Sequence, residues 1–211
     1  MSDLEKAAAA FGKSGFRPAS QTLTTVRAVP TCLVQYDHAT KVGGHPTERI
    51  SLLHGPSGEG KPYFTLGQTK SFLVLDNPVL MIDAERTTDE GFAKLTLGEL
   101  WDHPLFHYRK PDYYEEVVVE VREWCNTVKA LRTAGTIHKD ACGLIIVDSI
   151  RKMVPKDQWD RILKLEKASA KKDKPEKLRD RSAQIKALMN AAWCDELIPL
   201  LEKTGCTMII I

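Results

Sequence analysis

The sequence predicts an α/β domain, a largely parallel sheet with helices packed on both of its faces. Three observations predict it. Short apolar runs of strand length stand at 49–54, 79–83, 143–148 and 207–211. The segments between them carry apolar residues at helical spacings. The runs Val79-Leu80-Met81-Ile82-Asp83 and Gly143-Leu144-Ile145-Ile146-Val147-Asp148 are apolar up to a terminal acid, the composition of strands covered on both faces. Strands that alternate with helices give this architecture.

The elements follow in chain order. Ser2 to Phe11 reads as a helix capped by Ser2, with Leu4, Ala8 and Phe11 along one side. Residues 12–20 are a linker rich in Gly, Ser and Pro. A β-like stretch at 21–27 precedes a helix from Thr31 to Thr40 that ends at Gly43-Gly44. Arg49 to His54 is a strand, and a helix starts near Pro62, because proline is tolerated in the first helical turn. After the strand at 79–83, the aromatic residues Trp101, Phe106, Tyr108, Tyr113 and Tyr114 form a connection expected to pack over the sheet or at a protomer contact. Glu115 to Leu131 is an amphipathic helix, with Val117, Val121, Trp124, Val128 and Leu131 on its apolar side. Arg179 to Lys203 is mostly helical, with Ile185, Leu188, Met189 and Ala192 on one stripe. A buried apolar strand is an unusual terminus, so the sequence predicts a core that is incomplete on its carboxyl-terminal side.

Composition narrows the function classes. The 211 residues suffice for one large domain with a substantial core. The net charge of +2 predicts no partner by bulk charge, so charge distribution must decide. Five scattered cysteines without a C-x-x-C pair favour a reducing cytoplasm over a disulfide framework. There is no secretory signal pattern and no apolar run of membrane-span length, so no membrane partner is expected. His103 and His107 lie four apart around Pro104 without a third ligand, which argues against zinc.

The chemistry concentrates in the run RISLLHGPSGEGK. Gly55, Pro56, Ser57, Gly58, Glu59, Gly60 and Lys61 fit the first seven positions of G-x-x-x-x-G-K-[ST], a loop that cradles phosphates. Its glycines allow a tight backbone nest, the next helix adds its positive end, and lysine reaches the outer phosphates. A glycine-rich surface turn is the plain alternative. The eighth position is Pro62 instead of the Ser or Thr that binds magnesium. Asp148 ends an apolar strand downstream, where a magnesium-orienting acid is expected. Glu85 follows another strand end, at the sheet edge where ligands bind, and suits orientation or deprotonation of an attacking water. Asp83 is open to two readings, as a surface acid capping a turn or as a second functional carboxylate.

The ordered segments FGKSGF, KVGGHPTERISLLHGPSGEGK, VLMIDAERTTD and GLIIVDSI resemble the RecA-type recombinases, whose core is a P-loop ATPase. The resemblance spans most of the chain and is thin from Gly91 to Asp140. It implies an N-terminal oligomerisation helix and linker at 1–20 and an ATP-binding core at 21–211, with a basic insertion at 151–181. It also implies that Lys61 and the loop from Gly55 to Pro62 hold ATP, with Asp89 near the adenine. Asp148 would orient Mg2+ and Glu85 would activate water. The N-terminal helix would pack on a neighbouring protomer in a filament. Pro62 departs from the pattern, because it has neither the metal-binding hydroxyl nor a backbone N–H, which weakens binding by roughly a few kcal/mol. Thr65 lies a helical turn too far on to replace it. In this fold, later strands lie beyond the loop strand, so without them that strand is a sheet edge.

Residues 151–181 carry twelve Lys and Arg against six Asp and Glu, a local excess suited to phosphate neutralisation. By resemblance, the first DNA-binding loop lies here. Arg151, Lys152, Lys156, Arg161, Lys171 and Lys172 are the candidates for binding single-stranded DNA, and Trp159 is either a base-stacking residue or a packing anchor. A solvated helix-loop-helix of mixed charge is the alternative. The reading is therefore a cytoplasmic, DNA-dependent ATPase of homologous recombination and repair that self-associates into filaments. A catalytically degenerate paralogue that binds DNA or a recombinase without ATP turnover is the alternative, and a related ring-forming helicase or regulatory ATPase is a third reading.

Overall fold

A computed structural model of the chain describes residues 2–14, 26–31, 33–56, 58–149, 154–156 and 182–211, without the side chains of 3 and 182–192. Helix α1 (Asp3–Lys13) carries a reciprocal capping box between Ser2 and Glu5, so two backbone donors at its start are satisfied. Its Leu4 and Phe11 are exposed. Strands β1 (Ala28–Val29) and β2 (His45–Pro46) form a short antiparallel pair around helix α2 (Val34–Thr40). The remaining elements alternate: β3 (Ile50–Leu52), α3 (Lys61–Leu73), β4 (Val79–Asp83), α4 (Glu90–Leu97), a 3-10 turn (Gly98–Asp102), β5 (Phe106–Arg109), α5 (Tyr114–Thr133), β6 (Gly143–Asp148), α6 (Ser182–Thr204) and β7 (Cys206–Ile210).

The five strands β3-β7-β6-β4-β5 form one sheet in that spatial order, and every pairing is parallel. β4, β6 and β7 occupy its middle and are buried along their whole length. Successive side chains of a strand point to opposite faces, and the two apolar clusters divide accordingly. Leu80, Ile82, Ile145, Val147, Met208 and Ile210 meet α5 and α6 on one face. Val79, Met81, Leu144, Ile146 and Ile209 meet α3 and α4 on the other. Each fully buried aliphatic side chain contributes roughly 1.5–3 kcal/mol, so these interleaved runs specify the sheet.

The helices dock by spacing. On α5, the residues Tyr114, Val117, Val121, Cys125 and Val128 are buried at three- and four-residue intervals. On α6, Trp193, Leu197 and Leu201 repeat every four residues despite Pro199. The predicted stripe at Ile185 to Ala192 lies among side chains outside the description. α3 packs through Leu66, Phe72 and Leu73, and its end is tied to the sheet by Asn77, whose Oδ1 accepts from the Cys142 N–H at 2.8 Å.

Several elements differ from the sequence expectation, among them α4, where no helix was expected. Phe106 and Tyr108, expected in a connection, belong to the edge strand β5, where half-buried residues alternate with exposed ones. The β-like stretch at 21–27 contributes no strand among its described residues, and the first strand begins at Ala28. Among the described residues, no helix is long and apolar enough to cross a membrane.

Candidate functional site

The loop leaves the sheet at the carboxyl ends of the strands. The Leu53 N–H donates to Ile210 O at 2.8 Å, which extends the pairing one residue past β3. Gly58 and Gly60 then take φ of 85° and 79°, left-handed values that glycine adopts without steric cost. Gly60 opens α3, and its carbonyl accepts from the Phe64 N–H at 3.0 Å. Pro62 sits in the first turn, where an N–H would have no partner inside the helix. The Lys61 ammonium folds over the loop and donates to Gly55 O at 2.9 Å and Pro56 O at 2.6 Å.

The opposite wall comes from β4 and β6. These strands are adjacent and in register, with Asp83 opposite Asp148. The Asp148 carbonyl accepts from the Ala84 N–H at 2.6 Å and the Glu85 N–H at 3.1 Å. The Ser149 hydroxyl donates to Glu85 Oε1 at 2.5 Å, and the Asp148–Ser149 peptide is cis. Asp83 is fully buried and accepts from Tyr108 Oη at 2.5 Å, the Thr88 N–H at 3.0 Å and the Thr87 N–H at 3.3 Å. Burial pushes its carboxyl pKa up, but the donors from Tyr108, Thr88 and Thr87 more than offset that and hold it below the ordinary value. Burial, and then the bond to Asp83, push the Tyr108 phenol pKa up. Asp83 thus caps the turn after β4.

The two walls enclose a cleft of about 440 Å³. Gly55, Gly58, Lys61 and Pro62 line one side, Glu85, Thr87, Asp148 and Ser149 the other, with Leu53, His54 and Ile211 completing it. Pro56, Glu59 and Gly60 belong to the same loop without lining the cleft. Asp89 stands apart as the cap of α4, accepting from the Phe92 N–H at 2.6 Å. Ser57, Arg151, Lys152, Arg161, Lys171 and Lys172 lie outside the described residues, as does Trp159. Lys156 lies beside the start of α5: its N–H donates to Glu115 Oε2 at 2.9 Å and its ammonium stands 5.2 Å from the centre of the Tyr113 ring. Ser149, Thr87 and Tyr108 are additions that the sequence reading missed. Ser149 had one signal, its position directly after Asp148, whereas nothing local to Tyr108 marks it.

The arrangement suits a phosphate-bearing ligand. A lysine and a helix N-terminus provide positive charge on one wall, and carboxylates face them across the cleft. Magnesium takes one or two carboxylates together with substrate phosphates and water, and the acid wall fits that need. The eighth loop position offers no ligand. Pro62 has no hydroxyl, and Thr65 is buried with its hydroxyl donating to Pro62 O at 3.0 Å. Among the described residues, no group of three or more His, Cys, Asp or Glu forms a metal cage.

The family model of the RecA N-terminal domain matches residues 1–187. The chain belongs to the RecA family. It is 26% identical to Protein RecA of Sulfurimonas denitrificans over 203 residues, covering 96% of this chain and 50% of that protein. It is 31% identical over 161 residues to Protein RecA of Aquifex pyrophilus, covering 76% of this chain and 41% of the relative. With Protein RecA of Geobacter metallireducens it shares 24% identity over 213 residues, covering 100% of this chain and 53% of the relative. The chain therefore spans about half the length of these RecA relatives. Family membership agrees with the observed parallel sheet flanked by helices.

Proposed function

We propose that this chain is the ATP-binding core of a RecA-type recombination protein, a DNA-dependent ATPase that forms filaments on single-stranded DNA. The observation that carries the reading is the cleft itself, which brings Lys61 and the glycine loop opposite Glu85 and Asp148 at the carboxyl edge of a parallel sheet. The loop and Lys61 bind the ATP phosphates. Glu85 positions the attacking water and accepts its proton at the carboxylate. Asp148, with Glu85 beside it on the acid wall, would hold magnesium, which would supply charge neutralisation when bound; Pro62 supplies no hydroxyl for it. Asp89 contributes near the adenine.

Partners follow from other parts of the chain. Arg151, Lys152, Lys156, Arg161, Lys171 and Lys172 bind the DNA backbone from the basic insertion 151–181. Helix α1 exposes Leu4 and Phe11, apolar surface of the kind a neighbouring protomer covers. Residues 1–20 then form the oligomerisation arm and 21–211 the core.

ATP hydrolysis by the full-length protein, with and without single-stranded DNA and alongside Lys61→Ala, tests this reading. DNA-stimulated turnover that Lys61→Ala abolishes is the expected result. A folded protein that binds DNA but never turns over ATP would instead be a silent binding module, and the ATPase assignment would be withdrawn.

A further inference from the structure

We propose that Ser149 is the positioning residue for Glu85, setting the orientation in which that carboxylate meets the attacking water. The proposal rests on the reading of the cleft as an ATP hydrolysis site. Glu85 follows the strand by two residues, and the next residue, Arg86, turns the chain away with a φ of 57°. The strand therefore does not by itself aim the Glu85 side chain. The dipeptide Asp148-Ser149 does so at both ends. The Asp148 carbonyl holds the Glu85 N–H at 3.1 Å, and the Ser149 hydroxyl holds Oε1 at 2.5 Å.

That second bond is a short contact from the Ser149 hydroxyl to a carboxylate oxygen. Ser149 is 5% exposed yet lines the cleft, so its hydroxyl is held by packing where it meets Glu85. It follows the buried strand β6 directly, and β6 is in register with β4, so the bond inherits the precision of the sheet. A side chain with three rotatable bonds is thereby confined to one direction, which is what a water-positioning group needs. Ser149 does no proton transfer of its own, and its effect passes through Glu85.

The test compares Ser149→Ala, Ser149→Thr, Glu85→Gln and the double variant Ser149→Ala/Glu85→Gln in the full-length protein. Steady-state ATP hydrolysis on single-stranded DNA is measured with affinity for a fluorescent ATP analogue, and thermal unfolding checks each variant's fold. Ser149→Ala is expected to lower kcat by about tenfold to a hundredfold, with KM and analogue affinity within about twofold of the parent. Ser149→Thr keeps the hydroxyl and restores most of kcat. In the Glu85→Gln background the alanine change costs nothing more, since neighbours acting as one unit are not additive. Four results overturn the proposal: unchanged or faster turnover in Ser149→Ala, equal loss in Ser149→Thr, a loss confined to analogue affinity, or a multiplicative double variant. If the parent protein binds the analogue through Lys61 but never hydrolyses ATP, the hydrolytic reading fails and takes this proposal with it. Parental turnover that Ser149→Ala leaves intact removes the positioning role alone.

Discussion

The acid wall of the cleft is braced from inside the sheet, whereas the loop wall hangs from its edge. Asp83 and Asp148 end two adjacent, fully buried strands, and bonds from Tyr108, Thr87, Thr88 and Ser149 tie their turns together. The loop leaves β3, which has only β7 as a sheet neighbour among the described strands, and Leu52 is 75% exposed. Lys61 is held by carbonyls of its own loop. On the proposed function, a rigid wall suits a carboxylate that aims at a reacting water, and a locally held wall suits a loop that closes on phosphates. The contrast predicts turnover defects without binding defects on the acid side, and on the loop side defects in nucleotide affinity that carry turnover down with them.

The largest expected effect breaks the acid wall at its reacting group. Glu85→Gln should lower ATP turnover by about 10²–10⁴-fold with nucleotide affinity retained, as single-turnover kinetics and equilibrium binding would show. Equal loss of both would dissolve the distinction between the walls.

The backing of the loop helix is next. His45 is fully buried against Tyr36 and Phe72, and burial pulls its pKa down from 6.5 to about 4. The folded state resists protonation that the unfolded chain accepts. Stability from this group is therefore complete above about pH 6.5 and is lost as pH falls towards about 4, by roughly 3 kcal/mol. Urea unfolding across that range should show the slope, and His45→Phe should flatten it.

A smaller effect comes from Tyr108→Phe, which removes a donor from buried Asp83 and should cost about 1–3 kcal/mol of stability. The folded Asp83 carboxyl is held below its ordinary value. Its contribution is thus present above the unfolded pKa and lost as pH falls through the folded one. Losing Tyr108 moves that loss to higher pH, which acid unfolding curves would register.

The smallest change sharpens the loop wall. Pro62→Thr restores the hydroxyl at the eighth loop position and should raise magnesium-dependent ATP affinity by about tenfold, or ~1.4 kcal/mol. Titration with and without magnesium checks it, and an unchanged magnesium dependence would mean that the acid wall alone sets the metal's hold.

Legibility in the sequence followed burial. β4 and β6 have the bounds that their apolar runs predicted, because strands covered on both faces leave no room for polar interruption. β5 was illegible because Phe106, His107, Tyr108 and Arg109 alternate between a half-buried and an exposed side at the sheet's edge. α4 was missed because Gly91 and Thr96 dilute its pattern and only Ala93 and Leu97 are buried. In the cleft, Lys61, Glu85 and Asp148 were readable from a motif and from strand ends. Which of the two readings of Asp83 holds was not, since its partner Tyr108 is 25 residues away in sequence and meets it only through strand pairing.

The position of β3 carries a consequence for biosynthesis. Its sheet partner β7 lies near the other end of the described chain, and the bond from the Thr207 hydroxyl to Arg49 O spans 158 residues. A strand cannot pair with a neighbour that the ribosome has not yet released, and contacts this distant in sequence form late. The central strands β4 and β6 can assemble first, while the loop strand waits for β7. The cleft proposed to hold nucleotide therefore takes shape only after the central strands have paired, so the emerging chain forms part of its core before that cleft exists.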